Sequence, residues 1–345
     1  MRKNPFEDEQ RQRCDRSYAE VQKLLEVLNR YKATELAPGI VVERVECHDD
    51  EAAKRAGREI HEFYGKFFTP EEQTDSMAYE IGIKYGLTDN YAARNAEGKL
   101  ITLLQTASIE IPGGEPGTSE IALVVWYVAT DPEYKGQSLM PDLIEMALRG
   151  SLEKAKTGGK EMGSFIGEAE PEVEKLFNRF GLKRFYYEKS DGALQEVPYE
   201  FPPEDDSEVG APAHLMMRFF DGTEKLPLDR LGGMVDALHA EYTHSQYFTP
   251  DYLKFVQEWY NQRVAPDEQD HTVINKLTAG LYHRQYNKIV ENMRKLFNDR
   301  MRGVREVFSL SGQERSTLLK QGKTILDWGN VMNPKRREEA EGTNE

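Results

Sequence analysis

The spacing of apolar residues predicts a helix near the start of the chain and a strand after it. From Glu9 to Tyr31 the apolar side chains recur every three or four residues, which is the spacing of one helix face. From Ile40 to Val45 the pattern becomes alternating and β-branched, as is typical of a strand. Two further helical stretches are predicted at Asp50–Phe68 and Pro70–Tyr85.

A hairpin and a deeply buried strand are predicted next. Strands at Asn90–Arg94 and Leu100–Ile111 are joined by the turn Asn95–Gly98, because Asn and Gly accept the positive φ that tight turns require. The segment Ile121–Ala129 is almost continuously apolar, which indicates a strand that is covered on both faces.

Helices and strands continue to alternate as far as Asp221. This part is predicted to contain a helix at Leu139–Lys156, a strand at Glu161–Gly167, a helix at Glu172–Arg179, and strands at Lys183–Tyr187 and His214–Phe220. The proline-rich acidic stretch Val197–Pro212 is predicted to be a mobile loop. The alternation predicts a mixed sheet with helices on both faces, an α/β (α+β) fold.

Beyond Gly222 the apolar spacing is helical almost to the end of the chain. Helices are predicted at Leu228–Tyr242, Pro250–Trp259, Thr272–Phe308 and Gln313–Trp328. We therefore expect an N-terminal amphipathic helix at 1–38, an α/β domain at 39–221, an all-α region at 222–331 and a disordered charged tail at 332–345.

The net charge and the cysteine content narrow the class of protein. A net charge of −15 disfavours binding to nucleic acids or to an anionic membrane, because phosphates repel such a surface. No apolar run reaches the length of a membrane-spanning helix, and Cys14 and Cys47 lack the spacing of a zinc or redox site. These features predict a cytoplasmic protein with ordinary thiols.

A metal site is not predicted. His239 and His244 are five residues apart on a predicted helix, so they point to different faces, unlike an i, i+4 pair of metal ligands.

The turn Pro132–Pro141 connects the buried strand to a helix. Such a turn leaves several backbone N–H groups unpaired at the positive end of the helix, which makes it a binding site for phosphate groups. This turn is therefore the first candidate for a site that binds a phosphate-bearing ligand.

The order of elements from Ile40 to Asp221 resembles that of the GNAT superfamily of N-acyltransferases. The shared order is a hairpin, a buried strand ending in Asp-Pro, a loop, a helix, a strand, a short helix ending in Phe-Gly, and two more strands. The resemblance implies a GNAT-like mixed sheet flanked by helices, with acetyl-CoA or another acyl-CoA as co-substrate.

The resemblance also assigns residues to the acyl-CoA loop. The family's pattern is Arg or Gln, two residues, Gly, one residue, then Gly or Ala, and here Lys135, Ser138 and Met140 fill those places with Gly136 between. The loop therefore departs from the family pattern, Met140 adds bulk where the cofactor approaches, and Asp142 adds negative charge. The implied cofactor-binding residues are Val128, Ala129, Lys135, Gly136, Gln137, Ser138, Leu139 and Met140.

The chemistry that the resemblance implies is attack of an amine on a thioester. Backbone N–H groups near Val128 and Ala129 would polarise the acyl carbonyl, and a carboxylate would take the proton of the amine. Glu168, at the end of a strand, is the first candidate base. Glu120, at the start of the buried strand, is the second, and the family's common glutamate in that strand falls on Val124.

The sequence does not single out one residue as the proton donor for the leaving thiolate. Many family members use a tyrosine four residues before the glycine that ends the short helix, and that position is Phe177 here. Tyr127, Tyr186, Tyr187 or water are the alternatives, and Tyr187 is included among the predicted catalytic residues.

The chain also has a basic stretch near its end. Residues 271–330 contain 11 Lys and Arg against 5 Asp and Glu. This stretch, with Arg300, Arg302 and Arg305 in its densest part, fits an acidic partner such as an acyl carrier protein, an RNA, or the acidic surface of the protein itself.

Together these features predict an N-acyltransferase that moves an acetyl or other short acyl group from acyl-CoA to an amine of a small molecule or a protein. The alternative is a GNAT-like module without catalysis that senses acyl-CoA or binds a partner, which Phe177 and the altered loop favour. A third interpretation keeps the fold but takes the acyl group from a carrier protein bound to the basic helices.

Overall fold

The computed structural model describes residues 5–32, 36–47, 49–68, 76–84, 86, 88–115, 117–169, 171–201, 211–242 and 281–311, together with 314 and 317. The predicted helix Pro250–Trp259, nearly all of Gln313–Trp328, the tail 332–345 and His244 lie outside the described residues.

The described residues belong to two compact units. The first contains residues 5–197, 213–226 and 306–317, and the second contains 198–201, 211–212, 227–242 and 281–305, each within the described ranges. The predicted domain boundaries stay a prediction.

Most predicted elements are present with small shifts at their ends. The helices are α1 (Pro5–Tyr31), α2 (Asp50–Tyr64), α3 (Ser76–Lys84), α4 (Met140–Thr157), α5 (Pro171–Arg179), α6 (Leu228–Tyr242) and α7 (Leu281–Arg300), with a 3₁₀ turn at Pro132–Tyr134. The strands are β1 (Val41–Arg44), β2 (Asp89–Arg94), β3 (Leu100–Pro112), β4 (Ser119–Thr130), β5 (Glu161–Ala169), β6 (Lys183–Glu188), β7 (Leu194–Glu196), β8 (Glu200–Phe201), β9 (Ala211–Pro212), β10 (His214–Phe219), β11 (Lys225–Pro227) and β12 (Glu306–Leu310).

One large sheet organises the first unit. Its strand order is β1-β2-β3-β4-β5-β10-β6-β12-β11, and β7 pairs with β6. The pair β4–β5 is parallel, whereas β1–β2, β2–β3, β3–β4, β5–β10, β10–β6 and β6–β12 are antiparallel. The predicted fold class, a mixed central sheet flanked by helices, is confirmed by this arrangement.

Helices cover both faces of the sheet. On one face, residues of α1, α4 and α5 form a core with alternate residues of the strands, including Leu24, Leu143, Phe165 and Phe177. On the other face, α2 and α3 pack on β2, β3 and β4 through an aromatic cluster. We call these two surfaces the α4 face and the α2 face of the sheet.

Helix α1 is held to the first unit by polar contacts as well as by its apolar stripe. The Ser17 hydroxyl donates to the Met162 carbonyl oxygen at 2.6 Å, and the Tyr18 hydroxyl donates to the Lys160 carbonyl oxygen at 3.0 Å. Val21, Leu24, Leu25 and Leu28 are fully or almost fully buried. The helix predicted from apolar spacing is therefore a structural layer of the α/β unit.

The second unit contains α6 and α7, which pack against each other, and the short strand pair β8–β9. Val235 and Leu238 of α6 are buried, as are Met293 and Phe297 of α7. The helical spacing that predicts α6 and α7 thus marks their contact faces.

One prediction for the end of the chain is wrong. The helix predicted to run to Phe308 ends at Arg300, because Gly303 adopts a positive φ of +88°, and β12 follows. Val307 and Ser309 are both buried, which is the two-residue period of a strand. The region beyond Gly222 is therefore not all-α, since β11 and β12 belong to the large sheet.

Two smaller predictions can be compared with the structure. Cys14 and Cys47 are free thiols, as predicted, and burial is the main cause that raises the pKa of each. Among the helices in the described residues, none has the length and apolarity needed to cross a membrane.

Gly167 provides a test of packing in the first unit. A Cβ at Gly167 would meet the Phe177 ring at 2.7 Å, so Gly167→Ala should lower the free energy of unfolding by about 1–3 kcal/mol. In the control Gly232→Ala, the nearest heavy atom would be 4.0 Å away within a helix, and we expect a gain of about 0.5–1 kcal/mol. Urea unfolding of both variants measures these changes, and equal stability of Gly167→Ala and the wild type would contradict the contact.

Candidate functional site

The parallel strands β4 and β5 pair along only part of their length. The pairing runs from Glu120 to Val125 of β4, where Val125 faces Gly167 of β5. Trp126 is then an extra residue in β4, because Val125 and Tyr127 face consecutive residues of β3. A bulge of this kind bends and twists a strand. Beyond it β4 pairs with β3 alone, so the two parallel strands separate at their carboxyl ends.

Unpaired backbone groups face the gap between the separated strands. Val128 and Ala129 pair with β3 on one side, and β5 provides no partner on the other. Because successive N–H groups of a strand point in opposite directions, one of these two N–H groups points away from β3. The N–H group of either Val128 or Ala129 therefore faces the gap, and its role as a donor to a ligand stays a prediction.

The loop that follows β4 holds a second set of free donors. Its backbone turns through Gly136, with a φ of +87°, and Ser138, with a φ of +57°. Among the described residues, no hydrogen-bond partner is present for the backbone N–H groups of Gly136, Ser138, Leu139 and Met140. These groups precede or begin α4, whose peptide dipoles place partial positive charge at this end. A set of free N–H donors at this end of a helix is suited to an anionic ligand.

Two features that the sequence suggested would oppose anion binding have less effect in the structure. Met140 is 9% exposed, and its side chain packs in the core of the α4 face, so it does not cover the loop. Asp142 forms an ion pair at 2.8 Å with Lys32, which directly follows α1 and also pairs with Glu145, so the charge of Asp142 is partly offset.

The remaining loop side chains leave room for a ligand. Lys135 is exposed and has no ion-pair partner among the described residues. A Cβ at Gly136 would meet nothing within 4 Å, so the space beside its backbone is open. The amide oxygen of Gln137 is buried without a hydrogen-bond partner. A phosphate-bearing ligand fits this set of one cation and several free donors.

The structure separates the two carboxylates that the sequence proposes as bases. Glu168 lies where β4 and β5 have separated, at the same end of the sheet as the loop. Glu120 faces Glu161 at the other end of the strand pair, about 20 Å away along the strands. Its carboxylate occupies the space above Gly163.

Glu168 lies on the α2 face of the sheet. Its neighbours Gly167 and Ala169 face the α4 face, and side chains alternate along a strand. Tyr187 shares the face and the sheet end with Glu168, two strands away, and burial raises the pKa of Tyr187. The structure therefore brings Glu168 and Tyr187 to one end of one face, without Glu120.

The other tyrosines occupy different surroundings. Tyr127 packs its ring against Tyr64 at 5.3 Å and Phe68 at 5.4 Å between ring centroids, on the α2 face. Tyr186 is fully buried. Phe177, at the position of the family's tyrosine, is 1% exposed and packs on Gly167, and a phenyl ring has no proton to donate.

The bulge at Trp126 could not be predicted from the sequence, because it lies within an unbroken run of apolar residues.

Among the comparisons with known proteins, matches occur only to solved structures. No family model matches the chain, and no curated protein matches it. Solved structures do match, and N-acetyltransferases are among them. One is Arabidopsis thaliana NAA60 with acetyl-CoA, at 10% identity and a TM-score of 0.36, covering 53% of this chain and 99% of that one.

Two further matches are similar in extent. The Escherichia coli GNAT family N-acetyltransferase YhbS with CoA is 15% identical over 55% of this chain and 85% of that one, at a TM-score of 0.34. An aminoglycoside acetyltransferase from an uncultured soil metagenomic sample, in complex with trehalose, is 16% identical. The match covers 43% of this chain and 88% of that one, at a TM-score of 0.33. Since these TM-scores are below 0.5, the likenesses add nothing to the case for an activity, which rests on the geometry of the loop and the gap.

The second unit contains a small cavity beside His239. Its volume is about 20 Å³, and Tyr199, Met293 and Arg300 are among its lining residues. The Glu200 backbone lies near the His239 ring, and the described side chains provide no further hydrogen-bond partner for its two nitrogens. No group of three metal-ligating side chains occurs in the described part of the chain.

The basic helix α7 is partly neutralised by acids of its own unit. Arg294 pairs with Asp236 at 2.7 Å, and Arg300 pairs with Glu200 at 2.9 Å. Arg302 pairs with Asp299 at 2.8 Å. This favours the internal role among the alternatives for the basic stretch, and binding of a carrier protein or RNA stays a prediction.

The loop backbone can be tested at two positions. Ser138→Gly removes a side chain from a positive-φ position and should raise the free energy of unfolding by about 1 kcal/mol. Met140→Gly removes a core side chain and should lower it by about 3 kcal/mol or more. Thermal unfolding of the two variants measures the opposite shifts, and a shift in the same direction for both would contradict the loop geometry.

The stability of the second unit should depend on pH through His239. Burial lowers its pKa from 6.5 to about 4, and the nearby Glu200 backbone opposes this only in part. Between these values the unfolded chain binds a proton that the folded chain does not, so stability falls as pH falls from 6.5 to 4, by up to about 3 kcal/mol.

The variant His239→Phe isolates this effect, because it keeps a ring beside Tyr199, 5.6 Å away, and removes the titrating group. The difference in unfolding free energy between the wild type and this variant should change across that pH range. A constant difference would contradict the lowered pKa.

Proposed function

We propose that the protein is an N-acyltransferase that takes an acetyl or other short acyl group from acyl-CoA and transfers it to an amine. The observation that carries this proposal is the combination of a loop with free N–H donors before α4 and a gap between separated parallel strands beside it. The first holds phosphate, and the second admits a narrow thioester arm with a backbone donor at its side.

The pyrophosphate of acyl-CoA would be bound by the loop. The N–H groups of Gly136, Ser138, Leu139 and Met140 donate to its oxygens, and Lys135 adds a positive charge. Lys32 supports this binding indirectly, because it offsets part of the negative charge of Asp142 in the first turn of α4.

The acyl group would lie in the gap between β4 and β5. Acyl-CoA supplies an activated carbonyl, and the free N–H of Val128 or Ala129 stabilises the negative charge that develops on its oxygen. Glu168, on the α2 face, accepts the proton that the attacking amine loses. The carbonyl carbon gains a bond to nitrogen and loses its bond to sulfur.

The amine would approach from the α2 face. Glu168 faces that side, and the rings of Tyr127 and Phe68 lie on it beside β4. Aromatic rings and a carboxylate together attract an ammonium group, so a primary amine is the expected acceptor.

Binding and turnover test the proposal separately. Acetyl-CoA should raise the melting temperature, and free thiol should appear when acetyl-CoA is mixed with a panel of primary amines. Stabilisation without thiol release on any amine would support the non-catalytic alternative, an acyl-CoA-sensing module. No stabilisation by any acyl-CoA would remove both interpretations.

Charge reversal in the loop should weaken binding. Lys135→Glu places a negative charge beside the pyrophosphate, and we expect the Kd for CoA to rise at least about tenfold. The matched control Lys54→Glu makes the same change of net charge on α2, which packs on the opposite face of the sheet. Calorimetric titration of both variants measures the difference, and equal losses would mean that the loop does not hold the phosphates.

The candidate bases differ in their expected effect. Glu168→Gln should reduce kcat by about 10²-fold or more with little change in the Kd for CoA. Glu120 lies at the other end of the strands, so Glu120→Gln should leave kcat nearly unchanged, and the two variants together decide which carboxylate is the base. A large loss of kcat in the Glu120 variant with none in the Glu168 variant would reverse the assignment.

A further inference from the structure

A buried cluster of charged side chains lies on the α4 face beyond the end of β5. The His214 ring nitrogen Nδ1 is 2.7 Å from Oε1 of Glu196. Arg184 donates to both oxygens of the Glu196 carboxylate, at 3.2 and 2.9 Å, and also to Glu174 of α5. Four elements, β10, β7, β6 and α5, thus fix one imidazole ring.

The cluster faces the same side as Phe177. His214 is directly opposite Ala169 of β5, and opposed residues of antiparallel strands share a face. Ala169 belongs to the core of the α4 face, as does Phe177. His214 is displaced by two residues and one strand from Gly167, a backbone separation of about 8 Å.

The bonds within the cluster leave one atom of the ring available. Nδ1 is engaged by Glu196, and the His214 side chain is 11% exposed. No hydrogen-bond partner of Nε2 is present among the described residues, and Nε2 is not one of the buried unpartnered atoms, so it is accessible to solvent. A histidine whose Nδ1 is held by a carboxylate presents Nε2 in one orientation, which is the arrangement used for proton transfer.

The tyrosines considered as proton donors for the leaving thiolate are either on the other face of the sheet or fully packed. Tyr187 lies on the opposite face of the sheet from Phe177, and Tyr186 is fully buried. Tyr127 packs within the aromatic cluster of the α2 face. Among these residues, His214 combines partial exposure of its side chain with a position on the α4 face, which is the face of Phe177.

We propose that His214 protonates the sulfur of CoA as it leaves. The proposal rests on the function proposed above. The C–S bond breaks, its electron pair stays on sulfur, and the imidazolium gives its Nε2 proton to that sulfur. The proton lost by the amine to Glu168 on the α2 face is released to solvent, and His214 regains a proton from solvent. Glu196 is a positioning residue that holds the ring.

His214→Asn tests the role with little change of structure, because the Asn side-chain amide can replace Nδ1–H as the donor to Glu196 and has no equivalent of Nε2. We expect kcat to fall by about 10²-fold or more at an unchanged KM for the amine. Imidazole added to a His214→Gly variant should restore part of the activity. An unchanged kcat in His214→Asn would overturn the proposal.

A binding measurement complements the kinetics. The chain has 7 histidines, so NMR signals of the His214 ring are assigned by their loss in His214→Asn. These signals should shift on addition of CoA and shift much less with desulfo-CoA, which lacks the sulfur. Equal shifts with both ligands would place His214 away from the sulfur.

The two proposals fail in distinguishable ways. If the wild type neither binds acyl-CoA nor releases thiol, the proposed function is wrong. If the wild type does both and the His214 variants retain full kcat, the function stands and His214 is only a structural member of the cluster. If Glu196→Gln only lowers the melting temperature, Glu196 contributes to stability and the catalytic role of His214 gains no support. A fall in kcat of this variant, measured at an equal fraction of folded protein, supports that role.

Discussion

The separation of β4 from β5 is the constraint on which the candidate site depends. Two neighbouring parallel strands normally share hydrogen bonds along their whole length, and unpaired backbone groups inside a protein are costly. Here the extra residue Trp126 turns the end of β4 away, while β3 continues to pair with it on the other side. The sheet remains intact, yet a donor is left unmatched at one place. A ligand that supplies an acceptor there gains a hydrogen bond without deforming the protein.

The surrounding layers keep that gap in one shape. On the α4 face, α1, α4 and α5 form a continuous apolar core, and on the α2 face an aromatic cluster supports β4. The ring of Phe177 on Gly167 fixes α5 at the point where pairing ends. The first chemical groups beyond this point are Glu168 on one face and His214 on the other. A sheet that opens at one edge of a strand pair thus places the two groups that we propose for proton transfer on opposite faces.

Much of the fold follows from sequence, because apolar periodicity reports burial directly. The hairpin at Asn95–Gly98, the buried strand and the helix after it are predicted with small shifts at their ends. The strand β12 is missed, since a short alternating segment directly after a long helix continues the helical spacing by chance. Its partner β6 is more than a hundred residues earlier in the chain, and local patterns carry no information about such pairing.

The site is predicted less completely, for related reasons. The position of the loop with its free N–H groups can be predicted, because backbone donors depend on element order rather than on residue type. The sequence suggests that Met140 and Asp142 would hinder a ligand. Tertiary contacts instead place the Met140 side chain in the core and pair Asp142 with Lys32. The cluster around His214 joins residues from four elements, and neither their spacing nor their types mark them as neighbours.

Helix α1 has a consequence for the smallest piece of this protein that can be studied. Gln10, Ser17 and Tyr18 donate hydrogen bonds to backbone carbonyls at Gly159–Met162, where α4 turns into β5. A shortened chain that begins at Ile40 would retain every element of the resemblance, yet it would expose one side of the core and leave Asp142 without its cation. The boundary suggested by family resemblance is therefore not the boundary of the folded unit, and the first helix belongs in any fragment chosen for crystallisation or binding studies.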